Sequence, residues 1–201
     1  MIDNKLKVCA LGALYGGEKP KYFKECLNSI ERQTIKIPIV LVIDGEISYE
    51  LEKVLDQYKD LNIRIIRNPL NEGLSKALQL ALDKISNEFE YAIRFDSDDI
   101  NENNRFEVVR DYLNKNNVDL LSSHMNEIDE NGKKFSERLV PIGAKKIKKK
   151  LPYRNPFNHP ASAYRISSVI EVGGYKEMSF FEDWYLWVRM INAGFQIHNI
   201  D

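Results

Sequence analysis

The chain has little of several things that would narrow its function at once. It carries only two cysteines in 201 residues, Cys9 in an apolar run and Cys26 in a helix-like stretch, so a disulfide framework is not expected and a reducing compartment is. Both read as small core residues. Charge of one sign is also missing: 29 Lys and Arg stand against 30 Asp and Glu, a formal net charge of −1. That leaves no global field for wrapping nucleic acid, and no nucleic-acid partner is expected. No apolar run approaches the roughly 18 residues of a membrane span, and "MIDNKLKVCALGALYGG" is too short and too polar at its start for a signal peptide. A cytoplasmic protein is expected, with a membrane surface still open to it. Repeats and low-complexity linkers are absent as well.

What is present is ordinary globular material, 43% hydrophobic and 29% charged, enough for one domain with a sizeable core. Apolar runs at 7–14, 37–44, 61–68 and 90–95 read as strands, and segments 20–33, 48–60 and 71–86 between them repeat their apolar positions at helical spacing. Pro20 suits a first helical turn. Strands alternating with helices imply a parallel sheet between helical layers, joined by right-handed crossovers. The second half is less regular. It reads as a helix at 105–116, a strand at 118–125, a hairpin turn at 129–133 around Asn131-Gly132, and a helix near 144–151. A strand at 162–166, a short helix before "GGY" (173–175), a helix at 182–194 and a strand at 195–200 follow. The expected architecture is a single α/β domain over 1–201, with residues 1–100 as a ligand-binding half and 101–201 as a mixed α+β half. The chain stops straight after an apolar strand-like run with no closing cap, and a longer protein is expected.

Three polar clusters fall at strand ends, where open α/β sheets bind ligands: Asp44, the pair Arg67 and Asn68, and "RFDSDDI" (94–100). In an extended segment Asp96 and Asp98 lie on one side about 7 Å apart. Their repulsion calls for a divalent cation, and carboxylate oxygens suit Mg²⁺ or Mn²⁺, which is typically completed by substrate phosphates. A phosphorylated ligand follows. Two other readings of the acids exist. Asp96, Asp98 and Glu107 match positions one, three and twelve of an EF-hand, but Ile100 and Asn101 fill its fifth ligand and its turn glycine. Asp runs also cap helices, here one starting near 105, although capping does not ask for three acids on the exit of a buried strand.

With these pieces in order, the chain resembles the inverting, nucleotide-sugar-dependent glycosyltransferases of family 2, which have the GT-A fold, a Rossmann-like, mostly parallel central sheet flanked by helices with a smaller mixed acceptor-side region. "YAIRFDSDDI" resembles their D-x-D segment in the form seen in bacterial capsule, exopolysaccharide and O-antigen enzymes. The resemblance implies that Asp96 and Asp98 hold the metal, that Asp44 in "LVIDG" recognises a uracil base, and that Asn71 and Gly73 in "NEGLSKAL" lie near the nucleotide. Leu14 and Tyr15 of "ALYGGEKP", together with Ser97, join that donor set, although this strand exit departs from the family's usual Pro, Tyr and Asn, and "IDGEIS" from its "DDGS". "FFEDWYLWVRM" resembles the Glu-Asp motif, Glu182 and Asp183, with Asp183 as catalytic base. "NPFNHP" (155–160) and "GGY" resemble acceptor-side segments.

The residues themselves suggest further roles. Lys76 and Arg94 are candidates for the phosphates, with structural ion pairs as the alternative. Asp99 is read as orienting sugar hydroxyls or the metal's shell. Asp183 opens an aromatic helix whose dipole favours its ionised form, and burial beside Phe180, Phe181 and Trp184 is expected to restore its basicity; the plainer reading of the Glu-Asp pair is helix capping. Trp184 and Trp187 are core candidates, one of them able to stack on an acceptor sugar. His159 and Arg189 are candidates on the acceptor side: His159 facing the acceptor or metal, against a structural role, and Arg189 pairing with acids or phosphates, against a surface role. "KKIKKK" (145–150) can engage anionic headgroups or form a solvated helix. If it does the former, the acceptor is a polyprenyl-diphosphate-linked glycan at the inner membrane face. The rival classes are a nucleotidyltransferase making nucleotide-sugars, for which "GALYGGEKP" fits poorly as a phosphate loop, and a degenerate domain that binds without catalysing.

Overall fold

The computed structural model describes residues 6–178 and 180–201, so most of the polar start of the chain lies outside the described residues. β1 (Val8–Tyr15), α1 (Pro20–Glu31), β2 (Ile39–Asp44), α2 (Tyr49–Gln57), β3 (Ile63–Asn68), α3 (Leu74–Ile85) and β4 (Tyr91–Arg94) form the regular first half. Then come α4 (Arg105–Lys115), β5 (Leu120–Ser123), β6 (Met125–Ile128), β7 (Lys134–Arg138), α5 (Ala144–Lys150), β8 (Ala163–Arg165), α6 (Ile166–Glu171), α7 (Glu182–Asn192) and β9 (Ile197–Ile200). A seven-stranded sheet of order β3-β2-β1-β4-β8-β5-β9 runs through both halves, and β6 and β7 form a separate hairpin.

The strands split their side chains between two cores, as a period of two requires. Ala10, Leu14, Leu41 and Ile43 point to the face covered by α1, α2 and α4, whereas Cys9, Leu11, Val40 and Val42 point to the face covered by α3, α6 and α7. Both cysteines are buried and free, and burial pushes both thiols up, Cys9 to about 12. α1 starts on Pro20, where a missing N–H costs nothing, and Ser48 Oγ accepts the Leu51 N–H at 3.2 Å to start α2.

β1 pairs in parallel with β2 and with β4, so Tyr15, Asp44 and the residues after Arg94 leave the sheet along one edge. The second half departs from the parallel pattern. β8 is antiparallel to both β4 and β5 and wedges them apart. The stretch expected as one strand at 118–125 breaks at His124, so that β5 stays in the sheet while β6 turns out into the hairpin. That hairpin closes as the Asn131-Gly132 signal predicts, with Asp129 Oδ1 accepting the N–H groups of Asn131 and Lys133, both at 2.9 Å.

Candidate active site

Asp44 ends β2 almost fully buried, and its carboxylate organises the loop before α3. Oδ1 accepts from Asn68 Nδ2 at 2.8 Å and from the Glu72 N–H at 3.1 Å, while Oδ2 accepts the Gly73 N–H at 2.8 Å. Gly73 takes φ +92 at the N-cap of α3, a conformation that a β-carbon disfavours, so the backbone can turn its N–H onto Asp44. Oδ1 has both lone pairs engaged by these bonds, and Oδ2 keeps one acceptor site. A fixed acceptor therefore faces the cleft beside Asn71.

The D-x-D segment leaves β4 under tight control from below. Arg94 is completely buried. It donates to the carbonyl oxygens of Leu11 and Phe95, each at 2.8 Å, to Oδ1 of Asp96, and to Nε2 of His159 at 3.3 Å. One oxygen of Asp96 is thus held by a buried cation. Ser97 Oγ donates to Glu18 Oε2 at 2.9 Å, which brings a further acid to the motif. Loss of hydration, then Glu18 and Asp96, raise the carboxyl of Asp98; burial, then Asp96 and Asp98, push Asp99 up to about 7. Crowded carboxylates of this kind are what a divalent cation relieves.

The donor set fits a hard divalent ion. It is all carboxylate oxygen, and among the described residues no three His, Cys, Asp or Glu side chains close around one point. A site of one or two carboxylates finished by water and phosphate oxygens suits Mg²⁺ or Mn²⁺ and does not suit a thiolate or imidazole metal. The EF-hand alternative fails here too, because Glu107 accepts from Thr34 Oγ1 at 2.8 Å instead of turning to the aspartates.

The structure gathers Leu14, Tyr15, Asp44, Asn71, Gly73, Asp96, Ser97 and Asp98 around one cleft of about 620 Å³, with Glu18, Lys19 and Tyr22 on its rim. Glu18 was missed in the sequence. Its signal was position: β1 and β4 are neighbours in the sheet, so the loop after one must meet the motif after the other. Two expected phosphate ligands lie elsewhere. Lys76 sits on the surface with Glu72 at 3.3 Å and Glu177 at 4.0 Å, and Arg94 lies behind the motif with its donors spent on protein. Asp99 also turns away, to a second cavity with Asn101 and Arg105.

The acceptor-side residues separate into buried supports and an exposed rim. His159 is nine-tenths buried against Trp187, and Nε2 receives the Arg94 N–H while lying 2.8 Å from Tyr175 Oη. Because Arg94 only donates, Nε2 must be the lone-pair nitrogen. Burial and the Arg94 charge lower its pKa to about 4, so the ring is neutral at physiological pH. His159 is therefore a buried support of Arg94, which in turn holds Asp96. Arg189 is not paired with acids or phosphates: it donates to the Val172 and Gly174 carbonyls, the latter at 2.6 Å, and closes the end of α6. Trp187 is fully buried, whereas Trp184 is partly exposed and donates its Nε1–H to Leu151 O at 3.1 Å.

Asp183 stands half-buried beside Glu182 at the start of α7. Its Oδ2 accepts from Asn155 Nδ2 at 2.6 Å and its Oδ1 from the Trp184 N–H at 2.7 Å. Asn155 had been read only as part of a segment, and the structure makes it the partner of the expected base. The burial expected from Phe180 and Phe181 is not there: they are 93% and 51% exposed. Both Asp96 and Asp183 raise the His159 pKa, against the larger lowering by burial and Arg94.

A mostly parallel sheet whose β1, β2 and β4 end at one cleft, with an acidic D-x-D exit and a second carboxylate motif at the start of α7, defines an α/β protein of the GT-A type. The family model for Glycosyl transferase family 2 matches residues 15–173, and the chain belongs to that family. It is 37% identical over 204 residues to the UDP-Gal:alpha-D-GlcNAc-diphosphoundecaprenol beta-1,3-galactosyltransferase of Escherichia coli, covering 100% of this chain and 73% of that protein. It is 34% identical to the amylovoran biosynthesis glycosyltransferase AmsE of Erwinia amylovora, over 94% of this chain and 71% of the other. Among solved structures, S. aureus TarS 1-349 in complex with UDP-GlcNAc superposes with a TM-score of 0.74 at 20% identity, over 97% of this chain and 56% of that one. The mannosyltransferase PcManGT of Pyrobaculum calidifontis, in complex with GDP-Man and Mn²⁺, gives 0.71 at 13% identity, over 98% and 55%. The chain thus spans a little over half the length of those two solved proteins, and they share its fold.

Proposed function

We propose that the chain is the donor-binding and catalytic part of an inverting glycosyltransferase of bacterial surface polysaccharide synthesis. It transfers a hexose or N-acetylhexosamine from a UDP-sugar to a glycan or polyprenyl-diphosphate-linked glycan at the cytoplasmic face of the membrane. The observation that carries this reading is the single cleft in which a fixed Asp44 and the D-x-D acids meet, with Asp183 held by Asn155 outside that cleft. The Escherichia coli relative's name supports both a UDP-sugar donor and a lipid diphosphate acceptor.

Asp44 and the Asn71–Gly73 turn receive the base, and Asp96 and Asp98 would hold Mn²⁺ or Mg²⁺. That ion, when bound, neutralises the charge that grows on the departing diphosphate. Arg94 and His159 keep Asp96 aimed. Asp183 takes the proton of the acceptor hydroxyl as it attacks in line; Asn155 and the Trp184 N–H each occupy one of its oxygens and fix which lone pairs remain. Trp184, partly exposed beside it, offers a face to the acceptor sugar.

The test is a screen of UDP- and dTDP-sugars for metal-dependent donor hydrolysis, with calorimetry of UDP and Mn²⁺. Asp98→Asn is expected to weaken nucleotide binding, and Asp183→Asn to spare it while lowering transfer by roughly 10²- to 10⁴-fold. Nucleotide binding that ignores Asp98 would sink the site assignment. Binding without any turnover would leave the degenerate domain standing.

A further inference from the structure

The lysine-rich segment is α5, and its surroundings give it a direction. Ile147 alone on that run is buried and pins the helix to the body, leaving Lys145, Lys146, Lys148 and Lys149 exposed and Lys150 half-buried. The turn after it exposes Arg154 and presents Tyr153, 85% exposed. This turn is tied to the candidate base: Leu151 accepts from Trp184, Asn155 holds Asp183, and Trp184 carries Phe181 with ring centroids 5.9 Å apart. Next along the chain, Phe180 is 93% exposed at φ +65, a left-handed backbone that bulky residues avoid. An aromatic ring held in water by a disfavoured backbone gains nothing within the fold.

The face therefore combines six cations with outward aromatic rings, and the only carboxylates that the contacts above bring to it are Glu182 and Asp183. With a net charge of −1 for the whole chain, the remaining surface is net acidic, so charge is segregated. Basic residues beside exposed aromatics match a bilayer interface, where lysines meet anionic headgroups and rings settle at headgroup depth. Among the described residues no helix is long and apolar enough to cross a membrane.

We propose that α5, the Tyr153 turn and Phe180 form one surface that seats on an anionic phospholipid bilayer and holds Asp183 beside the headgroup layer. The inference rests on the lipid-linked acceptor of the proposed function, since a base held at that depth meets a diphosphate-bearing glycan end. It also explains why the burial expected around Asp183 is missing: the rings point to the bilayer.

The test is flotation of the chain with vesicles of phosphatidylcholine alone or mixed with phosphatidylglycerol. Binding is expected only to the mixed vesicles, falling with salt and by roughly five-fold for each of Lys145, Lys146, Lys148 and Lys149 changed to Gln. Phe180→Ser and Tyr153→Ser are each expected to weaken it further. Hydrolysis of a UDP-sugar in solution should be unchanged in all these variants, so that a failure of the enzyme assignment and a failure of the docking surface read differently. Equal binding to neutral vesicles, no flotation at all, or flotation that survives loss of the lysines overturns the proposal. So does lysine-dependent binding of inorganic pyrophosphate, or lysine-dependent self-association, in place of vesicle binding.

Discussion

At the scale of single residues, the site is an arrangement of carboxylates whose environments differ. Asp44 is satisfied by three donors, Asp96 by a buried arginine, Asp183 by an amide and a backbone N–H. Asp99 is the one under pressure. Its folded pKa of about 7 stands above the ordinary 3.8, so the folded state favours its protonated form. The stability that this contributes is complete below about pH 4 and is lost as pH rises through about 7. Asp99→Asn mimics the protonated state. It should therefore be more stable than the parent at pH 8, by on the order of 1 to 2 kcal/mol once water screening is allowed for, and about equal to it at pH 4. Urea unfolding at the two pH values checks this. Mn²⁺ should flatten the pH dependence of the parent, because a nearby cation lowers the carboxyl pKa; identical slopes with and without metal would place the ion away from these acids.

At the scale of elements, the first half was largely legible because β1, β2 and β4 are buried on both faces, the edge strand β3 keeps an apolar run, and each helix shows one apolar stripe, so that period and length agree. The second half was legible as elements but not as topology. Nothing in "SAYRI" says that it runs antiparallel between β4 and β5, since three residues buried on both sides carry no direction. His124 breaks a run that reads as a single strand. The meeting of Asp44, Asn71, Asp96 and Asp98 at one cleft was readable because neighbouring parallel strands end along one edge of the sheet. For Arg94 and His159 the sequence left a ligand role and a structural role open, because a charged or imidazole side chain at a motif looks the same in sequence whether it faces a ligand or supports one. What decides it is the layer behind the sheet: Tyr175, contributed by the "GGY" turn, reaches His159, which reaches Arg94, which fixes Asp96. Tyr175→Phe should then weaken Mn²⁺-dependent UDP binding several-fold while costing about 1 kcal/mol of stability. Tyr91→Phe is the control, because Tyr91 is also buried but its hydroxyl donates to the Val118 carbonyl, outside this chain of contacts. Calorimetry across both variants separates the outcomes; equal loss of metal affinity in the two would reduce the chain of contacts to packing.

At the scale of the whole molecule, the cleft lies where three parallel strands end and where the two cores meet the loops, so a ligand that fills it ties α3, the β1 loop and the D-x-D segment together. The free protein pays for that layout in repulsion among Glu18, Asp96, Asp98 and Asp99. Ligand binding to the folded state alone stabilises it by mass action, about 2.7 kcal/mol at a hundred times the dissociation constant. For a domain of this size each kcal/mol moves Tm by roughly 2 to 4 °C. UDP with Mn²⁺ near saturation should therefore raise Tm by about 5 to 10 °C. Either component alone should do far less, because the nucleotide supplies the phosphate oxygens that complete the ion's shell and the ion offsets the charge that the diphosphate would add. Asp98→Asn should remove most of the joint shift, whereas Asp183→Asn should keep it, since Asp183 lies outside the donor cleft. A thermal scan with each component singly and together decides the matter: additive shifts, with no gain from combining them, would mean that metal and nucleotide bind independently and that the acids do not clasp the pyrophosphate through the ion.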